Sequence, residues 1–196
     1  MQACRLSVEN LACRRGDRAL FDGLSFTLEA GEALQVTGPN GIGKSSLLRI
    51  VGSLLRPVSG TVRAVGAIGL LDEHPALDEH QPLGKALAFW NDIDGAGSLA
   101  RDGAIAQLGL ADLLEVPVRF LSTGQRKRAA LARLVGQQAP LWLLDEPLNG
   151  LDKDAVALAQ SLVSNHCAAG GIALIASHQG FELAGLRRIE LADYAE

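Results

Sequence analysis

The segment Gly38-Pro39-Asn40-Gly41-Ile42-Gly43-Lys44-Ser45 has the spacing G-x-x-x-x-G-K-[ST] and lies between a strand pattern and a helix pattern. Each residue type suits the binding of a phosphate chain. Glycines let successive backbone N–H groups curl inward around phosphate oxygens, and the N-terminus of the following helix adds its positive end. Lys44 would neutralise the β- and γ-phosphates, the Ser45 hydroxyl would ligate Mg²⁺, and Ser46 extends the same cradle.

A second group of candidates is acidic. Leu141-Trp142-Leu143-Leu144-Asp145-Glu146 reads as an apolar strand that ends in two carboxylates. Consecutive strand residues point to opposite sides, which gives the two acids different jobs. Asp145 is expected to hold Mg²⁺ through its water shell. Glu146 is expected to polarise the water that attacks the terminal phosphate, since a glutamate is ionised at neutral pH. Taken alone, two acids opening a loop before Pro147 also fit an ordinary surface. His178 follows the apolar strand Ile172–Ala176, and a histidine at a strand end is often structural. If that strand shares a sheet with the strand of Asp145, its C-terminal edge faces the nucleotide and His178 reaches the γ-phosphate.

The elements that must carry these residues follow from periodicity. Cys4–Val8 and Leu24–Leu28 alternate as half-buried antiparallel strands do, and Ala33–Thr37 is a strand running into the glycine-rich loop. A helix is predicted over Ser45–Leu55, stopped by Pro57, and two short strands joined near Gly66 over Thr61–Leu71. From Asp72 to about Arg119 the chain is rich in Ala, Leu, Asp and Gly and reads as short helices. The pattern then returns to helix (Gly124–Val135), strand (Leu141–Leu144), helix (Lys153–Asn165) and strand (Ile172–Ala176). Wholly apolar strands alternating with helices predict an α/β fold around a mostly parallel sheet covered on both faces.

Composition bounds the function. The chain of 196 residues is 48% hydrophobic and 20% charged, with a net charge of -4, which disfavours a nucleic-acid partner and a disordered chain. The basic triplet Arg126-Lys127-Arg128 reads as a solvated helix face. Cys4, Cys13 and Cys167 have no metal or redox spacing and read as reduced thiols. Met1–Leu20 carries no apolar block of the signal-peptide kind. The uncharged stretch Ala155–Phe181 is interrupted at Ser164-Asn165-His166 and Gly170-Gly171, short of the roughly 20 apolar residues a membrane span needs. It reads as helix, turn and buried strand.

Leu121-Ser122-Thr123-Gly124-Gln125, about twenty residues ahead of the acidic strand, resembles the signature of ABC ATPases, a family of P-loop nucleotidases. Asn149-Gly150-Leu151-Asp152 resembles that family's D-loop, and Ser177-His178 its switch histidine. The resemblance spans Arg15 to His178. It implies ATP and Mg²⁺ as ligands, a RecA-like core with an N-terminal antiparallel β element, and an inserted helical subdomain. On that basis 1–196 is one ATP-binding domain, with 1–71 and 121–196 as the core and 72–120 as the helical subdomain. It also implies a homodimer with composite sites, in which Ser122, Gly124 and Gln125 of one chain grip the ATP held by the other. A helix start with free N–H groups and a hydroxyl suits that grip.

There are departures. Thr123 stands where the family usually has glycine. Arg15 falls where many members have an aromatic residue that stacks on adenine, and its guanidinium is either a stacking substitute or a solvent-facing charge. The family's Q-loop glutamine is absent; His74 aligns there, as a candidate metal ligand, with Gln81 as the alternative.

Within the family, Leu20–Phe26, Leu141–Pro147, Ser177-His178-Gln179 and Gly170-Gly171 look most like the ATP-binding subunit of the haem exporter of bacterial cytochrome c maturation. That likeness implies integral membrane partners of the CcmB and CcmC kind. It places the chain peripherally on the cytoplasmic face of the inner membrane, touching haem only indirectly. A subunit of a drug or peptide exporter and a soluble regulatory ATPase are the alternatives.

Overall fold

The computed structural model describes residues 4–72, 75–95 and 97–195. Two strands, β1 (Arg5–Arg15) and β2 (Arg18–Glu29), form a long antiparallel hairpin turning at Gly16. Their alternation sends Leu6, Val8, Leu24, Phe26 and Leu28 to one buried face, with Leu6 opposite Leu28 and Val8 opposite Phe26. Both strands run well beyond the predicted segments. A further strand, β4 (Ser59–Val65), adds to the other edge of β1.

The second sheet is parallel, in the order β5 (Ile68–Leu71), β6 (Leu141–Asp145), β7 (Ile172–Ala176), β3 (Ala33–Thr37) and β8 (Arg187–Glu190). The two short strands predicted over Thr61–Leu71 therefore belong to different sheets. β6 and β7 are buried at every position, as expected of strands covered on both faces. Their residues alternate between two cores. Leu141 and Leu143 meet helix α1 (Lys44–Val51) and the antiparallel layer, while Trp142 and Leu144 meet α2 (Leu83–Asp94), α3 (Ser98–Gln107), α4 (Thr123–Gln137) and α5 (Lys153–Ala168).

Helix α1 stops four residues short of the predicted Leu55, because Gly52 caps it and Ser53 takes a left-handed φ of 59°. The leucines that matched its period, Leu54 and Leu55, lie in the following turn, where both backbone N–H groups donate to the Arg49 carbonyl. Their spacing was helical; their environment is solvent. Cys4, Cys13 and Cys167 are buried free thiols, and burial pushes Cys167 up to about 11. Among the described residues no helix is long and apolar enough to cross a membrane.

Candidate functional site

Parallel pairing brings the site together. Val36 and Asp145 are both in register with Ala176, so the loop after β3, the acids ending β6 and the histidine after β7 emerge at one edge of the sheet. This is the carboxyl edge, where open α/β sheets bind ligands. A cleft of about 380 Å³ there is lined by Arg15, Asn40, Gly41, Gly43, Lys44, Ser45, Ser46, Asp145, Glu146, Asn149 and His178.

The loop's shape depends on its glycines. Gly38, Gly41 and Gly43 have φ of 138°, 81° and 120°, a region most side chains avoid. At Gly43 a Cβ would also stand 3.1 Å from Leu20 Cβ and Phe21 Cδ1. Pro39 contributes its carbonyl, which accepts the N–H of Ile42 at 3.3 Å, and Ile42 packs against the core below. Lys44 is buried and folds back over the loop, donating to the carbonyls of Gly38 (2.7 Å) and Pro39 (3.2 Å). Its ammonium is also 3.9 Å from Glu146 Oε1, within reach of a bound phosphate chain and the water-facing acid alike.

The two acids have different environments, though not by strand alternation: β6 ends at Asp145, and Glu146 lies beyond it with a left-handed φ of 45°. Asp145 is buried, and burial pushes its carboxyl above the ordinary value, opposed by a hydrogen bond from Ser45 and reinforced by the negative charges of Asp72 and Glu146. Its Oδ1 has no hydrogen-bond partner. A buried carboxylate oxygen with nothing to accept, beside a serine hydroxyl, fits a hard, oxygen-seeking cation such as Mg²⁺. Among the described residues no three His, Cys, Asp or Glu side chains gather to hold a metal by themselves, so phosphate oxygens would complete such a shell.

Glu146 opens onto the cleft, with Oε2 3.0 Å from His178 Nδ1. Its backbone takes a left-handed φ of 45°, its N–H donates to the Ala176 carbonyl at 2.8 Å, and its carbonyl accepts from Lys127 Nζ at 3.1 Å. Gln179 beside His178 donates to Asn149 Oδ1 at 2.9 Å, tying the loop after β7 to the loop after β6.

Ser122, Gly124 and Gln125 do not line this cleft. Ser122 caps α4: its hydroxyl accepts the Gln125 N–H at 3.2 Å while Gln125 Oε1 accepts the Ser122 N–H at 2.8 Å. Gln125 thus uses its side-chain carbonyl on its own helix. Thr123 lies against Gly150, whose missing side chain makes room for it: a Cβ there would stand 2.9 Å from the Thr123 methyl. Gln81 lies in a separate groove with Phe89 and Trp90, away from Lys44, and His74 lies outside the described residues.

The basic triplet is not a solvated face. Arg126 donates to the carbonyls of Leu121 and Arg119, Arg128 to that of Leu108, and Lys127 is only 7% exposed. Asn149 and Lys127 are the site neighbours that sequence reasoning missed as such. Asn149 carried a signal in its D-loop likeness; Lys127 carried only its place in a charged run.

Fold and site define the ATP-binding subunit of an ABC transporter, and the ABC transporter family model matches residues 21–149. The cytochrome c biogenesis ATP-binding export protein CcmA of Novosphingobium aromaticivorans is 55% identical over 99% of both chains. The protein of the same name from Rhodospirillum rubrum is 43% identical over 95% of this chain and 85% of that one. The chain belongs to the CcmA family of ABC ATPases. Among solved structures, an ABC transporter ATP-binding subunit aligns with a TM-score of 0.81 at 21% identity, over 88% of this chain and 79% of that one. A bacterial Atm1-family ABC exporter with ATP bound aligns at 0.78 and 22% identity, over 91% of this chain and 35% of that one. At such identities these two show the fold alone.

Proposed function

We propose that this chain is the ATP-hydrolysing subunit of the haem exporter of bacterial cytochrome c maturation. It would act as a homodimer on the cytoplasmic face of the inner membrane, bound to integral subunits of the CcmB and CcmC kind and meeting haem only through them. We take 1–196 as one ATP-binding domain, its core 1–71 and 121–196 and its helical subdomain 72–120. The observation that carries the reading is the convergence of Lys44, Glu146 and His178 on one cleft at the carboxyl edge of the parallel sheet. The relatives, named for cytochrome c biogenesis and export, support the choice of cargo system.

In this reading the N–H groups of Gly38–Ser46 and the Lys44 ammonium hold the phosphates, and Arg15 stacks over the base at the rim. Ser45 and Asp145 would hold Mg²⁺, which when bound supplies charge neutralisation on the phosphate oxygens. Glu146 orients the attacking water and takes its proton, and His178 holds the Glu146 carboxylate and reaches the γ-phosphate. Ser122 and Gly124 of the second copy close the site from the other side.

The test is genetic and chemical together. In a bacterium whose own copy is deleted, the chain restores covalently haem-bearing c-type cytochromes, and a Glu146→Gln form does not. Full cytochrome maturation by Glu146→Gln would overturn the proposal. So would restoration of some other export process with cytochromes unaffected.

A further inference from the structure

Glu146 holds a backbone conformation that its type disfavours. Its φ is 45°, in the left-handed region, and Pro147 follows it, which pushes the preceding residue toward extended conformations. A conformation against both preferences persists only where surrounding contacts fix it. Here the contacts come from two separate elements. The N–H of Glu146 donates to the Ala176 carbonyl at 2.8 Å, from the neighbouring strand of the sheet. Its carbonyl accepts from Lys127 Nζ at 3.1 Å, from α4 outside the sheet.

Lys127 is 7% exposed, and lysines buried so deeply are held by partners; the Glu146 carbonyl is one of them. A charged donor makes the stronger kind of hydrogen bond to a carbonyl. Lys127 lies two residues beyond the Ser122–Gln125 capping box, so the helix that carries it is fixed at its start. We propose that Lys127 is a positioning residue for ATP hydrolysis: its ammonium holds the Glu146 peptide in the left-handed conformation that aims the carboxylate into the cleft. It does not line the nucleotide cleft and acts through Glu146. The proposal rests on the reading of Glu146 as the residue that orients the attacking water.

The experiment uses the assembly extracted from membranes with this chain in it, and compares Lys127→Met, Lys127→Arg, Lys127→Gln and Glu146→Gln. Steady-state phosphate release yields kcat and KM, and a fluorescent ATP analogue reports binding. Lys127→Met keeps length and removes the donor; kcat is expected to fall about ten- to a hundredfold, the factor a hydrogen bond from a charged group is worth. KM and analogue affinity stay within about twofold, as for an interaction needed only in the transition state. Lys127→Arg or Lys127→Gln, which keep a donor, recovers most of the rate.

An unimpaired kcat in Lys127→Met overturns the assignment. So does a loss of ATP binding alongside kcat, or equal loss in all three Lys127 variants, because each marks a role in shape only. Glu146→Gln separates the two readings. If it turns over ATP at the parental rate, the role of Glu146 falls and that of Lys127 falls with it. If it is inactive while Lys127→Met is unimpaired, only the role of Lys127 falls.

Discussion

His178 Nδ1 lies 3.0 Å from one oxygen of the Glu146 carboxylate, and the other oxygen lies 3.9 Å from Lys44 Nζ. The acid is thus held between a ring and an ammonium, one on each oxygen. Glu146→Gln is expected to lower kcat about 10²- to 10⁴-fold, the usual range for a lost general base, with ATP binding retained. His178→Ala should fall short of that, since it removes the orienting partner and leaves the carboxylate. Phosphate release on both variants checks the order; a His178→Ala enzyme slower than Glu146→Gln would reverse these roles.

The signature residues lie away from the cleft that their own chain provides. Ser122→Arg should therefore abolish hydrolysis while a single copy still binds ATP. An equimolar mixture with Lys44→Ala chains should regain part of the activity, because one composite site then has Lys44 from one copy and Ser122 from the other. Loss of ATP binding by isolated Ser122→Arg chains counts against a shared site.

Burial raises the Asp145 carboxyl above its ordinary 3.8. Below that value both folded and unfolded chains are protonated there and no penalty exists. As pH climbs from 3.8 through the raised value, the unfolded chain ionises first, the folded chain holds more protons, and stability falls. The full penalty stands above the raised value. Asp145→Asn removes it, so without metal at pH 7 the variant should melt higher, by about 2–4 °C for each kcal/mol relieved. The gain should vanish near pH 3.5, roughly the ordinary carboxylate range. The same variant should lose the extra stabilisation that Mg-ATP confers over ATP with chelator. Thermal melts across pH decide; a variant that melts lower than the parent at pH 7 without metal sinks the argument.

Gly43→Ala combines a φ of 120° with a Cβ 3.1 Å from Leu20 and Phe21. The strain is on the order of 1–3 kcal/mol, and it falls on the loop that must curl around the phosphates. ATP affinity should drop about tenfold or more, with far-ultraviolet circular dichroism unchanged, 1.4 kcal/mol being a tenfold change. Unaltered affinity in a titration would mean that the loop gives way without cost.

Much of this site could be read along the chain. The phosphate loop is a local object: glycine spacing, a lysine and a serine between a strand and a helix dictate a backbone that points N–H groups inward. The apolar runs Leu141–Leu144 and Ile172–Ala176 lie within strands observed over Leu141–Asp145 and Ile172–Ala176, because short, wholly apolar runs suit a sheet covered on both faces. The edge strand Arg187–Glu190 was illegible for the converse reason. Its residues are mostly exposed and charged, so it has no apolar period, and only its pairing with β3 makes it a strand.

The amino-acid order by itself determined the parts: a phosphate-gripping loop, an acid-tipped strand and a helix-capping signature, each encoded within a short stretch by backbone freedom, alternation or capping chemistry. Tertiary structure alone decided which parts meet. It set His178 on Glu146, buried Lys127 beneath the Glu146 carbonyl, turned a charged triplet into three donors to backbone carbonyls, and left Gln81 in another groove. Those contacts join residues from separate elements, and packing of apolar faces chooses such partners while local pattern does not.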